Sequence, residues 1–399
     1  MKTIYDITKE SFGDSGLLPV QNVLERFSCS IGCHLMNLVN SEKRIFFHAS
    51  KLQNFREHIV FQAPSGFMKS VIMDFFLDSR TGLLSSEPFP TNVEATFTPE
   101  SWIGTMNKGK GGTMDISDGV FERYKTGIIG ADEYSRLKTM AENPGEANDV
   151  VYLLKALDDG NITKNMAYDQ LHIENICTTF WCGLRPNRLN FTSGLGRRFT
   201  YQIFFPTWKE TQDFKRANVG GSIGVPITQE LKEQLREKTL QVMTDIGTCN
   251  VLDTSNIDDW MIDNDLIPHF DMPHYKRLAV GWSVINDTYP NITLDDTLIE
   301  LFRDEFNARN IIRNNPIEEC SVKVIGGGYR DDNGFPRNVF YEFMDAYYQM
   351  PRKSTKTTIR SLKRSDRIYE KHNKFFVSED EVEDQQDRQQ VLQDYITIG

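Results

Sequence analysis

The sequence predicts an α/β fold: a core of strand–loop–helix units, then a helical region, then a small winged helix-turn-helix module. Three observations predict it. His58-Ile59-Val60-Phe61 is an apolar run that breaks at a short loop and resumes as the apolar stretch Val71–Phe76. Gly127-Ile128-Ile129-Gly130-Ala131 is a small, apolar run suited to a strand covered on both faces, and it delivers two adjacent carboxylates, Asp132 and Glu133. Near the C-terminus, Asn338–Tyr348 and Thr355–Lys363 read as two helices, and Arg367–Val377 as two strands around a turn.

The first loop reads Ala63-Pro64-Ser65-Gly66-Phe67-Met68-Lys69-Ser70. A phosphate-binding loop has the form G-x-x-x-x-G-K-[ST]: backbone amides cradle the phosphates, Lys reaches the outer ones and the hydroxyl holds Mg²⁺. Gly66, Lys69 and Ser70 are in place, whereas Ala63 and Met68 occupy the two flanking glycine positions. The helix that follows would turn its N-terminus towards the phosphates. Asp132 and Glu133, at the carboxyl end of their strand, stand where ligands bind in open α/β sheets. There Asp132 would hold Mg²⁺ through water and Glu133 would orient an attacking water.

Composition bounds the rest. The 399 residues leave room for two or three domains, and 39% hydrophobic with 25% charged residues describes a globular chain. No run approaches the ~18 apolar residues of a membrane span, and the N-terminus lacks the apolar centre of a signal peptide. A cytoplasmic location is expected. The net charge of −11 excludes a uniformly basic coat, so nucleic acid would be met by local basic patches. Cys29, Cys33 and His34 form C-x-x-x-C-H without a second ligand pair nearby, and the six cysteines read as reduced or buried thiols rather than a zinc site.

Along the chain, residues 1–50 form a short N-terminal segment and 51–206 the α/β core. Residues 207–335 carry helical patterns, as in Thr228–Leu240. Residues 336–377 are the winged module, and 378–399 form an acidic, Gln-rich tail expected to be solvated. Between Arg352 and Lys374 stand nine Lys/Arg and two Asp/Glu, a local balance of +7. This basic stretch suits contact with DNA phosphates.

The order of motifs after Glu133 resembles the AAA+ core of minichromosome maintenance (MCM) helicases. Leu153–Lys164 reads as a helix stopped by Gly160 and the rising strand of a hairpin. Ile173–Asn187 then reads as the sensor strand, and Ser193-Gly-Leu-Gly-Arg-Arg-Phe as an arginine-finger motif. The family also carries Ala where most phosphate loops have the glycine before Lys. The resemblance implies a P-loop AAA+ core with a helical lid and a terminal winged helix, with ATP and Mg²⁺ as cofactors. It further implies DNA as partner and a homo-oligomeric ring, most simply a hexamer.

Residue by residue, the resemblance gives Ala63 to Ser70, with Asn187 or Thr179 as sensor 1, around the nucleotide, and Ser70 and Asp132 at the metal. Lys69, Asp132, Glu133 and Arg198, or the adjacent Arg197, would carry hydrolysis, the arginine acting in a neighbouring subunit. Lys164, near the tip of a hairpin at Ile162–Tyr168, would touch DNA. Lys108 and Lys110 in an inserted loop would do so too, as would Arg352, Lys353, Lys356, Arg360, Lys363 and Arg364 of the winged module. Arg277 lies in the lid region without an alignment to sensor 2. With about 50 residues ahead of the core, a reduced form without the family's N-terminal collar is expected. The function implied is an ATP-dependent DNA helicase or translocase in replication. Two alternatives are an ATP-switched DNA-binding initiator and an AAA+ remodeller of protein complexes.

Overall fold

The computed structural model of the chain describes residues 2–14, 22–43, 54–94, 99–108, 114–131, 147–158, 160–165, 170–186, 196–220, 227–249, 252–263, 267–330, 334–383 and 386. Its centre is a five-stranded sheet of β1 (His58–Gln62), β2 (Thr91–Glu94), β3 (Ile128–Ala131), β4 (Thr179–Leu184) and β5 (Phe199–Ile203). All neighbours run parallel, in the order β2-β3-β4-β1-β5. The α/β expectation therefore holds, with a parallel sheet at its core. β1, β3 and β4 are buried along their whole length, which is why each reads as a short run dominated by apolar residues.

Alternate residues of these strands serve two cores, as the two-residue period of a strand requires. Ile59, Phe61, Ile128 and Trp181 face one side, while Val60, Ile129, Phe180 and Cys182 face the other. On the first side lie the Lys69–Leu77 helix and two long helices, Val23–Lys43 and Met272–Ile285. The long pair approaches closely enough that a Cβ on Gly281 would lie 2.2 Å from the Cys29 carbonyl, and one on Gly32 2.4 Å from that of Gly281. Only glycine fits at that crossing. Residues 1–50 thus supply a central helix of the molecule. On the second side the Ala147–Asp158 helix covers the sheet.

A buried ionic cluster ties these layers together. Arg26 Nη1 lies 2.6 Å from Glu305 Oε2, and Arg309 Nη1 lies 3.0 Å from Asp271 Oδ1. Arg26 and Glu305 are both fully buried.

Two antiparallel ribbons project from the sheet connections: Gly104–Lys108 with Met114–Asp118, and Ile162–Asn165 with Gln170–Ile173. The second ribbon corrects the expected boundaries. Ile173 pairs with Ile162 and both are buried, so Ile173 closes the hairpin and the next strand starts only at Thr179.

The C-terminal residues fold on a third core, built from Pro316–Gly326, Arg337–Tyr348 and Arg352–Arg364 with a three-stranded sheet. In that sheet Phe335-Pro336 and Ile368–Lys371 flank Lys374–Val377. His372 and Asn373 both take positive φ (51° and 58°), the geometry of a tight two-residue hairpin turn. Among the described residues, no helix is long and apolar enough to cross a membrane.

Candidate functional site

β1 occupies the place in the sheet where connections leave in opposite directions, β1 leading towards β2 and β4 crossing to β5. A crevice at the carboxyl edge of such a switch point is the usual ligand position in open α/β sheets. The chain leaves β1 as the loop 63–68, anchored where the Ala63 N–H donates to the Leu184 carbonyl at 3.1 Å. Gly66 turns with φ +82°, and nothing lies within 4 Å of where its Cβ would stand, so glycine serves the turn rather than the packing.

Met68 stands directly before the helix at φ 58°, ψ 3°, a left-handed conformation. This is the position where a phosphate loop ordinarily has glycine. Left-handed backbone costs an L-residue about 1–2 kcal/mol, so the surroundings must hold it. Lys69 folds back over the loop, its Nζ donating to the carbonyls of Ala63 and Pro64, both at 2.8 Å, and it is 5% exposed. The helix that follows begins at Lys69 and adds the positive end of its dipole. An ammonium, a turned loop and a helix N-terminus thus converge on one spot, an arrangement suited to a polyanion. Ser70, half-buried, is the second helical residue, with its hydroxyl at the same end. These residues fit a nucleotide phosphate chain with Mg²⁺.

Ala131 ends β3 abreast of Cys182 in β4, which in turn lies abreast of Val60 in β1. Asp132 and Glu133 follow Ala131 and lie outside the described residues, as do Asn187 and Lys110. Thr179 is corrected as a sensor: it begins β4 rather than ending it, is fully buried, and bonds His34 Nδ1 at 2.9 Å. The residue that does follow β4 at the carboxyl edge is Arg185, whose carbonyl accepts from Gln62 Nε2 at 3.2 Å.

The two arginines lie at the opposite edge. Arg197 and Arg198 close a short 3₁₀ turn before Phe199, which pairs with His58 at the start of β1. A five-residue strand spans about 13 Å, so neither side chain stands beside the 63–68 loop. Arg198 Nε donates to Asp158 Oδ2 at 2.6 Å, at the end of the Ala147–Asp158 helix. The Arg197 guanidinium lies 4.9 Å from the Phe270 ring centre, and its carbonyl accepts from His274 Nε2 at 2.6 Å. Arg277 also belongs to this edge: its Nε donates to the Asn54 carbonyl at 2.9 Å and its Nη1 lies 3.9 Å from Glu57.

A polar network knits this edge together. The buried Arg56 donates to the carbonyls of Ala156, Leu157 and Ile176, each at 2.8 Å, and so fixes the base of the second ribbon to β1. Burial pushes the Glu57 carboxyl up to about 7, partly offset by the Arg277 charge. Burial likewise holds the His34 imidazole down at about 3. Lys164 pairs with Leu171 one residue before the described end of its strand. Lys108 ends a strand of the first ribbon.

On the C-terminal module, the Arg352–Arg364 helix buries Thr355, Thr358, Ile359 and Leu362 and turns its basic residues outward. Lys353, Lys356, Arg360 and Arg364 are exposed, and among the described residues they form no ion pair. Arg352 is exposed with its guanidinium 5.4 Å from the Tyr341 ring centre. Lys363 differs, being paired with Glu370 and placed 5.3 Å from the Phe375 ring centre. Five of the six cysteines are buried, and no group of three His, Cys, Asp or Glu suited to a metal occurs among the described residues.

Sequence reasoning missed Arg56, Asp158 and Arg185, whose roles depend on contacts distant in the chain. No protein-family model matches the chain, and no curated protein matches it at a significant level.

Proposed function

We propose that the chain is an ATP-dependent DNA helicase or translocase of the MCM-like AAA+ class, working as a ring of copies. The observation that carries the reading is the 63–70 loop: Lys69 folded over loop carbonyls, the left-handed turn at Met68, and the helix beginning at Lys69. The strand order supports it, because it puts the end of β3 and the loop after β4 on the same carboxyl edge as the phosphate loop. The C-terminal helices and hairpin support a winged helix-turn-helix with a solvent-facing basic helix.

Bound Mg²⁺-ATP would supply a transferable phosphoryl group and a metal to neutralise its charge. Lys69 would exchange its loop carbonyls for phosphate oxygens, and Ser70 and Asp132 would hold the metal. Glu133 would orient water. Arg198, remote from its own loop, would serve the loop of a second copy. Its pair with Asp158 is part-exposed (23% and 41%), and such pairs contribute at most about 1 kcal/mol, little enough to release on assembly.

One observation favours a second reading, an ATP-switched initiator. Met68 replaces the glycine that lets backbone approach phosphate closely, which suits slow turnover. Steady-state ATPase activity with and without single- and double-stranded DNA separates the readings. DNA-stimulated turnover, lost in Lys69→Ala, is expected of the motor. Nucleotide binding without turnover would leave the switch, and turnover indifferent to DNA would point to a protein remodeller.

A further inference from the structure

Met68, the left-handed residue of the 63–68 loop, follows an aromatic side chain that packs against the C-terminal module. Phe67, immediately before Met68, is 3% exposed and sits in an aromatic cluster. Its ring centre lies 4.9 Å from that of Phe214, 5.8 Å from that of Phe204 and 6.3 Å from that of Tyr347. Tyr347 belongs to the Arg337–Tyr348 helix of the module, packs on Phe343 at 4.9 Å and lies 5.1 Å from Lys215 Nζ. It joins the module's core to the core that contains Phe67, Met68 and Ile72.

A second contact comes from the same helix end. Gln349, the left-handed residue that closes the helix, accepts a hydrogen bond from the Arg185 guanidinium. Arg185 follows β4, beside the loop. One end of one helix therefore touches two of the segments that leave the carboxyl edge, the one after β1 and the one after β4.

We infer that Tyr347 is a positioning residue: by seating Phe67 it holds the phosphate loop in the left-handed shape at Met68, so nucleotide affinity depends on the docked C-terminal module. The inference rests on the nucleotide-binding reading above. A glycine at position 68 would adopt this shape unaided. Methionine disfavours it by roughly tenfold, and the neighbouring contacts must restore the balance. Phe67 is the loop's only aromatic side chain, and Tyr347 is its contact from the module.

The test is a double-mutant cycle on Mg²⁺-ATP affinity, measured by calorimetry on the full chain. Tyr347→Ala is expected to weaken binding about tenfold, and Tyr347→Phe to leave it unchanged, since the ring rather than the hydroxyl seats Phe67. In a Met68→Gly background, Tyr347→Ala should cost less than threefold. Should Tyr347→Ala fold poorly, Tyr347→Leu keeps apolar volume while removing the ring and is expected to show the same background dependence. Equal losses in both backgrounds would mean general packing, and unchanged affinity in Tyr347→Ala would mean no brace; either overturns the inference while leaving the nucleotide site standing. Absence of binding by the unsubstituted chain would remove the nucleotide reading and this inference together.

Discussion

Replacing Arg26 by Met should destabilise the molecule by about 3–5 kcal/mol, the usual cost of breaking a buried ion pair from one side. Arg26 is fully buried and each of its guanidinium nitrogens has a partner. Nη1 donates to Glu305 Oε2 at 2.6 Å, Nε to Gln202 Oε1 at 3.1 Å and Nη2 to the Leu301 carbonyl at 3.3 Å. Without it, Glu305 keeps the Tyr201 N–H at 3.1 Å and Arg309 Nε at 2.7 Å from Oε1. That last contact is ionic only, because the N–H is not aligned with the acceptor. A buried carboxylate would thus lose its best-directed donor, and Gln202 Oε1 and the Leu301 carbonyl would each lose one donor. Urea unfolding followed by tryptophan fluorescence measures the effect. With a slope of about 3 kcal/mol per molar, the midpoint should fall by about 1–1.7 M. A midpoint shift under about 0.3 M would refute the reasoning.

Three further outcomes follow from the amino edge of the sheet and the hairpin. Glu57, raised from 4.5 to about 7 by burial, contributes stability in full below pH 4.5 and loses it as pH rises through 7. Glu57→Gln should therefore gain on the unsubstituted chain by up to about 3 kcal/mol at pH 8, since each tenfold change in proton affinity on folding corresponds to about 1.4 kcal/mol. Parallel pH–stability curves for the two proteins would contradict this. Arg198→Ala and Glu133→Gln should each abolish ATP turnover, and mixing the two proteins should restore part of it. No recovery at any mixing ratio would exclude action across an interface. Lys164→Ala should keep basal ATPase activity while losing strand displacement, and unchanged displacement would retire the hairpin as a DNA contact.

Local patterns made the parallel sheet and its loop legible. β1, β3 and β4 are each buried on both faces and read as short runs dominated by apolar residues, and the 63–70 loop is contiguous. The basic helix at Arg352–Arg364 was legible because its charges and its buried Ile359 and Leu362 keep helical spacing. The Val23–Lys43 helix was not. It buries Arg26, His34 and Asn37, polar residues that argue against a core helix until their partners are known. Those partners are remote: Glu305 lies 279 residues from Arg26, and Thr179 lies 145 from His34. The glycine crossing of Gly32 and Gly281 is equally non-local. Thr179 looked like a sensor because the start of β4 depends on where the preceding hairpin closes, and that is set by the Ile162–Ile173 pair. The tie between Arg198 and Asp158 likewise appears only once the helix end and the turn before β5 are brought together.

The most direct test of the central claim is calorimetric titration of Mg²⁺-ATP into the full chain and into Lys69→Ala. The account predicts saturable binding at one site per chain, lost in the variant because the loop's ammonium is gone while the fold remains. Equal binding by both proteins, or none by either, would contradict a phosphate-binding role for the 63–70 loop.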